Sequence, residues 1–294
     1  MKNERGWDGM RVLVTGSNGF IGKYTEDALG KAGHTCVSFD ACDDRYVENR
    51  AQLDKSISRQ IDAVINLAGV LGTSELFANG GEHQAVESNI IGALNVYDAA
   101  ARAGIPVVQV GTGHKGQLNP YAITKGAAED LGLARATWRG ERITVVRAYH
   151  VYGAGQKMSA PHGSGGVRKI FPSFACRALT GMRIEINGSG DQMIDLVHAA
   201  DVADVLVEAI NGPYGTVVEA GSGVATRVQD AALDIIEACK SKSRIVHVSG
   251  RAGEPEGAVV VAENPACSAE HAWPWRVPET VAWYQAQLAA KGML

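Results

Sequence analysis

Seven residues near the N-terminus, Gly16-Ser17-Asn18-Gly19-Phe20-Ile21-Gly22, constrain this chain more than any other stretch. They follow a short apolar, β-branched run at 10–15, which reads as a buried parallel strand. A helical stretch through Leu29 comes next, and then a second strand at 35–39 that ends at Asp40. The pattern is a β-α-β unit with a glycine-rich first turn. Glycines there permit a tight turn, let the backbone approach a pyrophosphate and seat the helix against the sheet. The helix N-terminus turns free N–H groups toward phosphate oxygens. Asp40 stands where an acid binds adenosine ribose hydroxyls, and a carboxylate there repels a 2′-phosphate. The unit therefore predicts a dinucleotide site that favours NAD over NADP, with Arg45 nearby in sequence as the one opposing feature. Asp43 and Asp44 either reach the adenine or sit in a solvated turn.

Residues 61–69 read as a buried strand running into a small-residue loop, which suits close approach of a nucleotide. Few residues separate it from Asp40, so the third strand of a doubly wound fold is expected to be short or absent. Residues 83–102 read as a helix with Val86, Ile90, Leu94, Tyr97 and Ala101 on one face and the polar Asn89 near it. A strand at 105–110 leads to Gly111-Thr112-Gly113-His114, so Thr112 lies just past a strand's C-terminal end. Ligands bind there in open α/β sheets. The next helix, entered through Asn119-Pro120, carries Tyr121 and Lys125. Residues four apart share a helical face. A nearby ammonium favours a phenolate, and such a tyrosine can take a proton from an alcohol. Ile123, Ala127, Leu131, Ala134 and Trp138 make a stripe that reads as core or subunit interface.

At 294 residues the chain fits one large domain, or a domain with a smaller lobe. Residues 1–150, rejoined by 190–222, form the expected dinucleotide domain; 151–189 and 223–294 form the lobe. His162, in a glycine-rich loop, is either a second acid–base group or an exposed loop histidine. Arg168 and Lys169 either meet phosphates or lie on a solvated face. The aromatic tail (Trp273, Trp275, Trp283, Tyr284) reads as packing of the lobe on the main domain. A net charge of −4 gives no electrostatic case for nucleic acid or an anionic membrane. There is no apolar run of about 18 residues, and residues 1–7 lack the apolar core of a signal peptide. A cytoplasmic location is expected. The five cysteines are scattered without a Cys-x-x-Cys pair, so neither a metal site nor a disulfide framework is expected.

Three segments together carry a resemblance: residues 15–22, Asn66-Leu67-Ala68-Gly69, and Pro120-Tyr121-Ala122-Ile123-Thr124-Lys125. They resemble the extended short-chain dehydrogenases/reductases, the NAD-dependent epimerase/dehydratase family acting on nucleotide sugars. Residues 147–153, 187–192, 197–203 and 251–254 extend the likeness over nearly the whole chain. The resemblance implies an α/β fold, a Rossmann-type doubly wound parallel sheet with a smaller C-terminal α/β substrate-binding lobe. It implies that Gly16, Gly19, Phe20, Ile21 and Gly22 hold the pyrophosphate of NAD, and Asp40 the ribose. Leu67, Ala68 and Asn89 then line the cofactor. Tyr121 is the implied base, with Lys125 binding the nicotinamide ribose and lowering the tyrosine pKa. Thr112 holds the reacting hydroxyl, and Arg251 the diphosphate. His150 replaces a substrate-side asparagine, with Arg168 a further substrate contact.

Two departures stand out. Gly113 and His114 replace the Asp-Glu of 4,6-dehydratases, and Ile194 replaces a diphosphate-binding arginine. The implied function is an NAD-dependent nucleotide-sugar epimerase, at C4, working through a keto sugar. An NAD(P)H-dependent keto-sugar reductase, a nucleotide-sugar dehydratase and a non-catalytic NAD-binding protein are the alternatives. A homodimer built on a four-helix bundle is implied as well.

Overall fold

Strands covered on both faces are apolar along their whole length, and the first strand shows it. β1 (Arg11–Thr15) buries four of its five residues. The computed structural model describes residues 9–57, 60–78 and 80–294. The polar segment 1–7 lies outside the described residues.

From β1 the chain passes through the glycine turn into α1 (Phe20–Lys31) and β2 (Thr35–Phe39). A 3-10 turn and α2 (Arg50–Ile57) precede β3 (Ala63–Asn66). Two short helices, α3 (Ser74–Ala78) and α4 (Glu82–Ala85), lead through a π-helical turn, Val86–Ile91, into α5 (Gly92–Ala103). Then come β4 (Val107–Thr112), α6 (Pro120–Arg139), β5 (Ile143–Ala148) and β6 (His150–Tyr152). The remainder is α7 (Ile170–Leu179), β7 (Ile184–Asn187), β8 (Met193–His198), α8 (Ala199–Glu208), β9 (Val217–Ala220), β10 (Ala225–Arg227), α9 (Val228–Ala238), β11 (Ile245–Val248), β12 (Val259–Val260) and α10 (Val277–Ala290).

Six strands form one parallel sheet in the order β2-β1-β3-β4-β5-β9. The order departs from β1 in both directions, so the crevice beyond β1 and β3 is the topological switch point, where such sheets bind ligands. Among the described residues between β2 and β3 there is no strand, in line with the short spacing in the sequence. Helices cover both faces. Val12, Val14, Leu29, Ile65, Val202 and Leu206 form the core on one side. Leu13, Leu53, Val64, Val96, Tyr97 and Ala128 form it on the other. A third core gathers Tyr152, Phe171, Phe174, Ile235, Trp273 and Tyr284 around the smaller sheets. No helix among the described residues is long and apolar enough to cross a membrane.

Two expectations need correction. The face expected at 83–102 is offset: Val86 and Ala101 are exposed, while Ala85, Asn89, Ala93, Val96, Tyr97 and Ala100 are buried. The π-helical turn is the reason, because it inserts a residue into the helical repeat and rotates the later turns of the helix. Only part of the aromatic tail packs the lobe onto the main domain: Trp275 lies against His271, whose Nδ1 is 2.8 Å from Asp201 of α8. Trp273 and Tyr284 build the lobe's own core, with Trp273 edge-on to Tyr152 and its Nε1 donating to Asp234 at 2.6 Å.

Candidate active site

The glycine turn fits only glycine where it is tightest. Gly16 has φ +68°, in the left-handed region. A Cβ on Gly22 would lie 2.4 Å from the Ser17 carbonyl oxygen and 2.5 Å from that of Gly16. The turn therefore lies flat against the start of α1, and the Gly16 backbone sits directly beside Leu67 and Ala68. At the end of β2, Asp40 accepts from the Asn18 and Cys42 backbone N–H groups, each at 2.9 Å. Burial pushes its carboxyl pKa up, but those backbone bonds prevail and hold it below the ordinary value. Asp43 accepts from Ser38 Oγ and Asn18 Nδ2 at the rim, and Arg45 donates to the Ser38 carbonyl at 2.7 Å. A side-chain-free cradle beside an ionised acid fits a dinucleotide.

Polar groups inside the strands hold the floor of this crevice. Thr15 Oγ1 donates to Asn66 Oδ1, and Asn66 Nδ2 donates to Gln109 Oε1 at 2.7 Å. Gln109 Nε2 passes the chain on to the Val110 carbonyl at 3.0 Å. All three side chains are buried, and they tie β1, β3 and β4 together. Sequence reasoning missed Thr15 and Gln109; the signal was a polar residue inside an apolar strand. Asn89 is also buried. Its Oδ1 accepts from the Val70 N–H at 2.8 Å, and its Nδ2 donates to Thr124 Oγ1 at 2.9 Å. Its amide is thus committed to clamping the loop after β3 onto α6.

Asn119 caps α6, accepting from the Ala122 N–H at 2.9 Å with Pro120 in the first turn. That entry sets Tyr121 close to Thr112, at the end of β4, near enough for the threonine hydroxyl to act on the phenol. Lys125 is buried one turn further on. Burial lowers its ammonium to about 8, with Glu129 pulling the other way. Glu129 is fully buried and held by Arg147 at 2.6 Å and Lys115 at 2.9 Å. The phenol is not the acidified group that the spacing predicts. Burial raises the Tyr121 pKa, and the Thr112 hydroxyl is what pulls it down. Desolvation disfavours the charged forms of both partners at once.

Around Thr112 the chain departs from the expected pattern. A Cβ on Gly113 would lie 2.5 Å from the Tyr149 ring, so that position holds no acidic side chain. His114 and His150 meet edge to face, with centroids 4.7 Å apart. Lys169, the residue before α7, lies close enough for its charge to act on both imidazoles. Arg168 points elsewhere: it pairs with Glu185 at 3.1 Å, beside Arg177. Arg251 closes on the far side, pairing with Glu75 at 3.0 Å and Glu254 at 3.2 Å. Its segment docks on α6 through Asn119 Nδ2, which donates to the Gly253 carbonyl at 3.0 Å. His162 is neither an acid–base group here nor an exposed histidine. It is buried in the lobe, with its Nε2 3.0 Å from Thr180 Oγ1. Ile194 is buried in the lobe core. Among the described residues no group of three or more His, Cys, Asp or Glu side chains could hold a metal ion.

Residues 12–221 match the family model described as the NAD dependent epimerase/dehydratase family. A UDP-N-acetyl-alpha-D-glucosaminuronate decarboxylase of Bacillus cytotoxicus is 27% identical over 284 residues, covering 84% of this chain and 86% of the relative. A GDP-6-deoxy-D-mannose reductase of Pseudomonas aeruginosa is 28% identical over 243 residues, covering 75% and 77%. The crystal structure of Thermus thermophilus UDP-glucose 4-epimerase in complex with NAD superposes with a TM-score of 0.78 at 20% identity, covering 94% of this chain and 99% of that one.

Proposed function

We propose a function from one settled fact: the chain belongs to the NAD-dependent epimerase/dehydratase family. Its cofactor is NAD, and the family's members are enzymes acting on nucleotide sugars. Our reading is a nucleotide-sugar epimerase that oxidises the C4 hydroxyl and returns the hydride to the other face of a keto sugar. The observation that carries it is the Tyr121–Thr112 hydroxyl pair, one helical turn from Lys125 and beyond the glycine turn. Gly16, Gly19, Phe20, Ile21 and Gly22 hold the pyrophosphate, and Asp40 the adenosine ribose. Leu67 and Ala68 line the cofactor over the floor that Asn89 braces. Bound NAD supplies the hydride acceptor and donor.

Thr112 fixes the substrate oxygen, and Tyr121 takes its proton as hydride leaves the carbon. Lys125 holds the nicotinamide ribose, while the Thr112 hydroxyl is the group that eases ionisation of the phenol. Arg251, which ties its own loop to α3 through Glu75, holds the diphosphate. The crowding of Gly113 by Tyr149 supports an epimerisation over a 4,6-dehydration, which needs an acid there to expel water. Tyr121→Phe is expected to lower turnover by about a thousandfold or more while NAD stays bound. Undiminished turnover in that variant removes Tyr121 as the base. Steady consumption of added NADH by the wild type with a keto sugar would show a reductase instead.

A further inference from the structure

We infer that His114, His150 and Lys169 form an anion subsite for a carboxylate carried by the sugar, which makes the substrate class a nucleotide-linked hexuronate. The inference rests on Tyr121 and Thr112 being the reacting pair, and it names the sugar that site takes.

The three groups meet beside the reacting hydroxyls. The His114 backbone N–H donates to Thr112 Oγ1 at 3.2 Å, which anchors the residue next to the Tyr121–Thr112 pair. The His150 ring lies against it at an interplanar angle of 68°. His150 Nδ1 is buried and has no hydrogen-bond partner. Buried polar atoms are nearly always paired, and an exception calls for a group that completes it. Among the described residues the Lys169 ammonium makes no side-chain hydrogen bond or salt bridge; its backbone carbonyl accepts from the Ser173 N–H at 3.1 Å, and Glu75 and Glu254 act on its charge from a distance. Two nearby carboxylates, Glu75 and Glu254, are bound to Arg251 at 3.0 and 3.2 Å. Two imidazoles and an ammonium thus converge with no carboxylate among the described residues in salt-bridge contact with any of them, while Glu75 and Glu254 act on Lys169, and Glu254 on His114, from further off.

An anion at this point would accept a hydrogen bond from a protonated His150 and pair with Lys169. Burial keeps both imidazoles neutral, and the Lys169 charge reinforces this. A carboxylate among them would reverse that balance. The position selects a carboxylate over the diphosphate. A C6 carboxylate is two carbons from a C4 hydroxyl held by Thr112, whereas the diphosphate lies at the other end of the sugar, where Arg251 is the proposed contact.

The test uses the NAD-loaded enzyme and matched sugar nucleotides: UDP-glucuronate against UDP-glucose, and the GDP- and dTDP-linked counterparts. Hydride transfer is followed by nicotinamide absorbance, and products by mass. For the nucleoside that supports turnover, kcat/KM should favour the uronate by about 30-fold or more, as loss of a charge-assisted contact would predict. In Lys169→Met and in His150→Phe that preference should collapse, mainly through the KM of the uronate. Lys169→Arg should restore it. Melting curves and NAD binding check that each variant is folded, and the Lys169 pair tests the idea even if His150→Phe fails to fold. A wild type that prefers the neutral hexose overturns the inference and leaves the epimerase reading intact. Variants that keep the uronate preference overturn it as well. Absence of hydride transfer with every member of every pair overturns the epimerase reading itself.

Discussion

At the scale of single residues, Lys125 makes the sharpest demand. Burial holds its ammonium to about 8, so it loses its charge well below an ordinary lysine. Below that pH the ammonium can donate to a ribose hydroxyl; above it the neutral amine binds more weakly. NAD affinity is therefore expected to fall as the pH rises through about 8, by roughly tenfold overall. Lys125→Met should bind NAD more weakly and lose the dependence. A titration of protein fluorescence with NAD across that range reads both outcomes, and a flat wild-type profile would contradict the assignment. The residues that sequence made legible are those whose chemistry fixes a residue type at a short spacing. Gly16, Gly22, Asp40, Thr112, Tyr121 and Lys125 each meet that condition. His150 was legible only as a substrate-side residue through the family resemblance, and its contact with His114 was not, because it joins the ends of separate strands and no local pattern links them. Lys169 stands out in the sequence only as a member of a basic pair. Its neighbour Arg168 reads there as the substrate contact, although Arg168 is tied to Glu185.

At the scale of elements, α6 organises the site. Tyr121, Lys125 and Glu129 recur every four residues, and Glu129 anchors the row to β5 through Arg147. Replacing Glu129 with leucine leaves Arg147 and Lys115 without their carboxylate. Both are about a quarter exposed, at 26% and 29%, so water relieves part of the loss. The expected destabilisation is about 2 kcal/mol, read as a lower denaturation midpoint at unchanged slope. Glu129→Gln should cost less, because it keeps hydrogen bonds to Arg147. It should also deepen the depression of Lys125, since Glu129 is what opposes it. A leucine variant as stable as wild type would show that the pair contributes nothing net. The helix itself was readable from its cap and its periodicity. The preceding helix was only half readable, because a π-helical turn breaks the period on which such a reading depends.

At the scale of the molecule, the parallel sheet was legible because β1, β3, β4 and β5 are mostly apolar and buried. The lobe's interior was less so, since Tyr152, Phe171, Trp273 and Tyr284 come from distant segments. The surface of the main domain then poses its own question. The α6 stripe, read as core or interface, is not core: Ile123 is 55% exposed, Leu131 38% and Trp138 85%. Val86 and Ile91 on the adjoining π-helical turn are exposed as well. Apolar side chains spaced along one exposed helical face gain from association with a like face, at about 25 cal/mol per Å² removed from water. We propose that two copies pair through these helices as a four-helix bundle, the symmetric arrangement in which one patch serves both partners. Light scattering should then give twice the chain mass of 31.0 kDa. Ile123→Glu with Leu131→Glu should shift the protein toward the single-chain mass, because each dimer would bury four carboxylates. Tyr121 and Lys125 lie on other faces of the same helix, so the double variant should retain NAD binding unless pairing also steadies α6. A wild type that scatters as a single chain at micromolar concentration would leave the stripe as plain surface and refute the dimer.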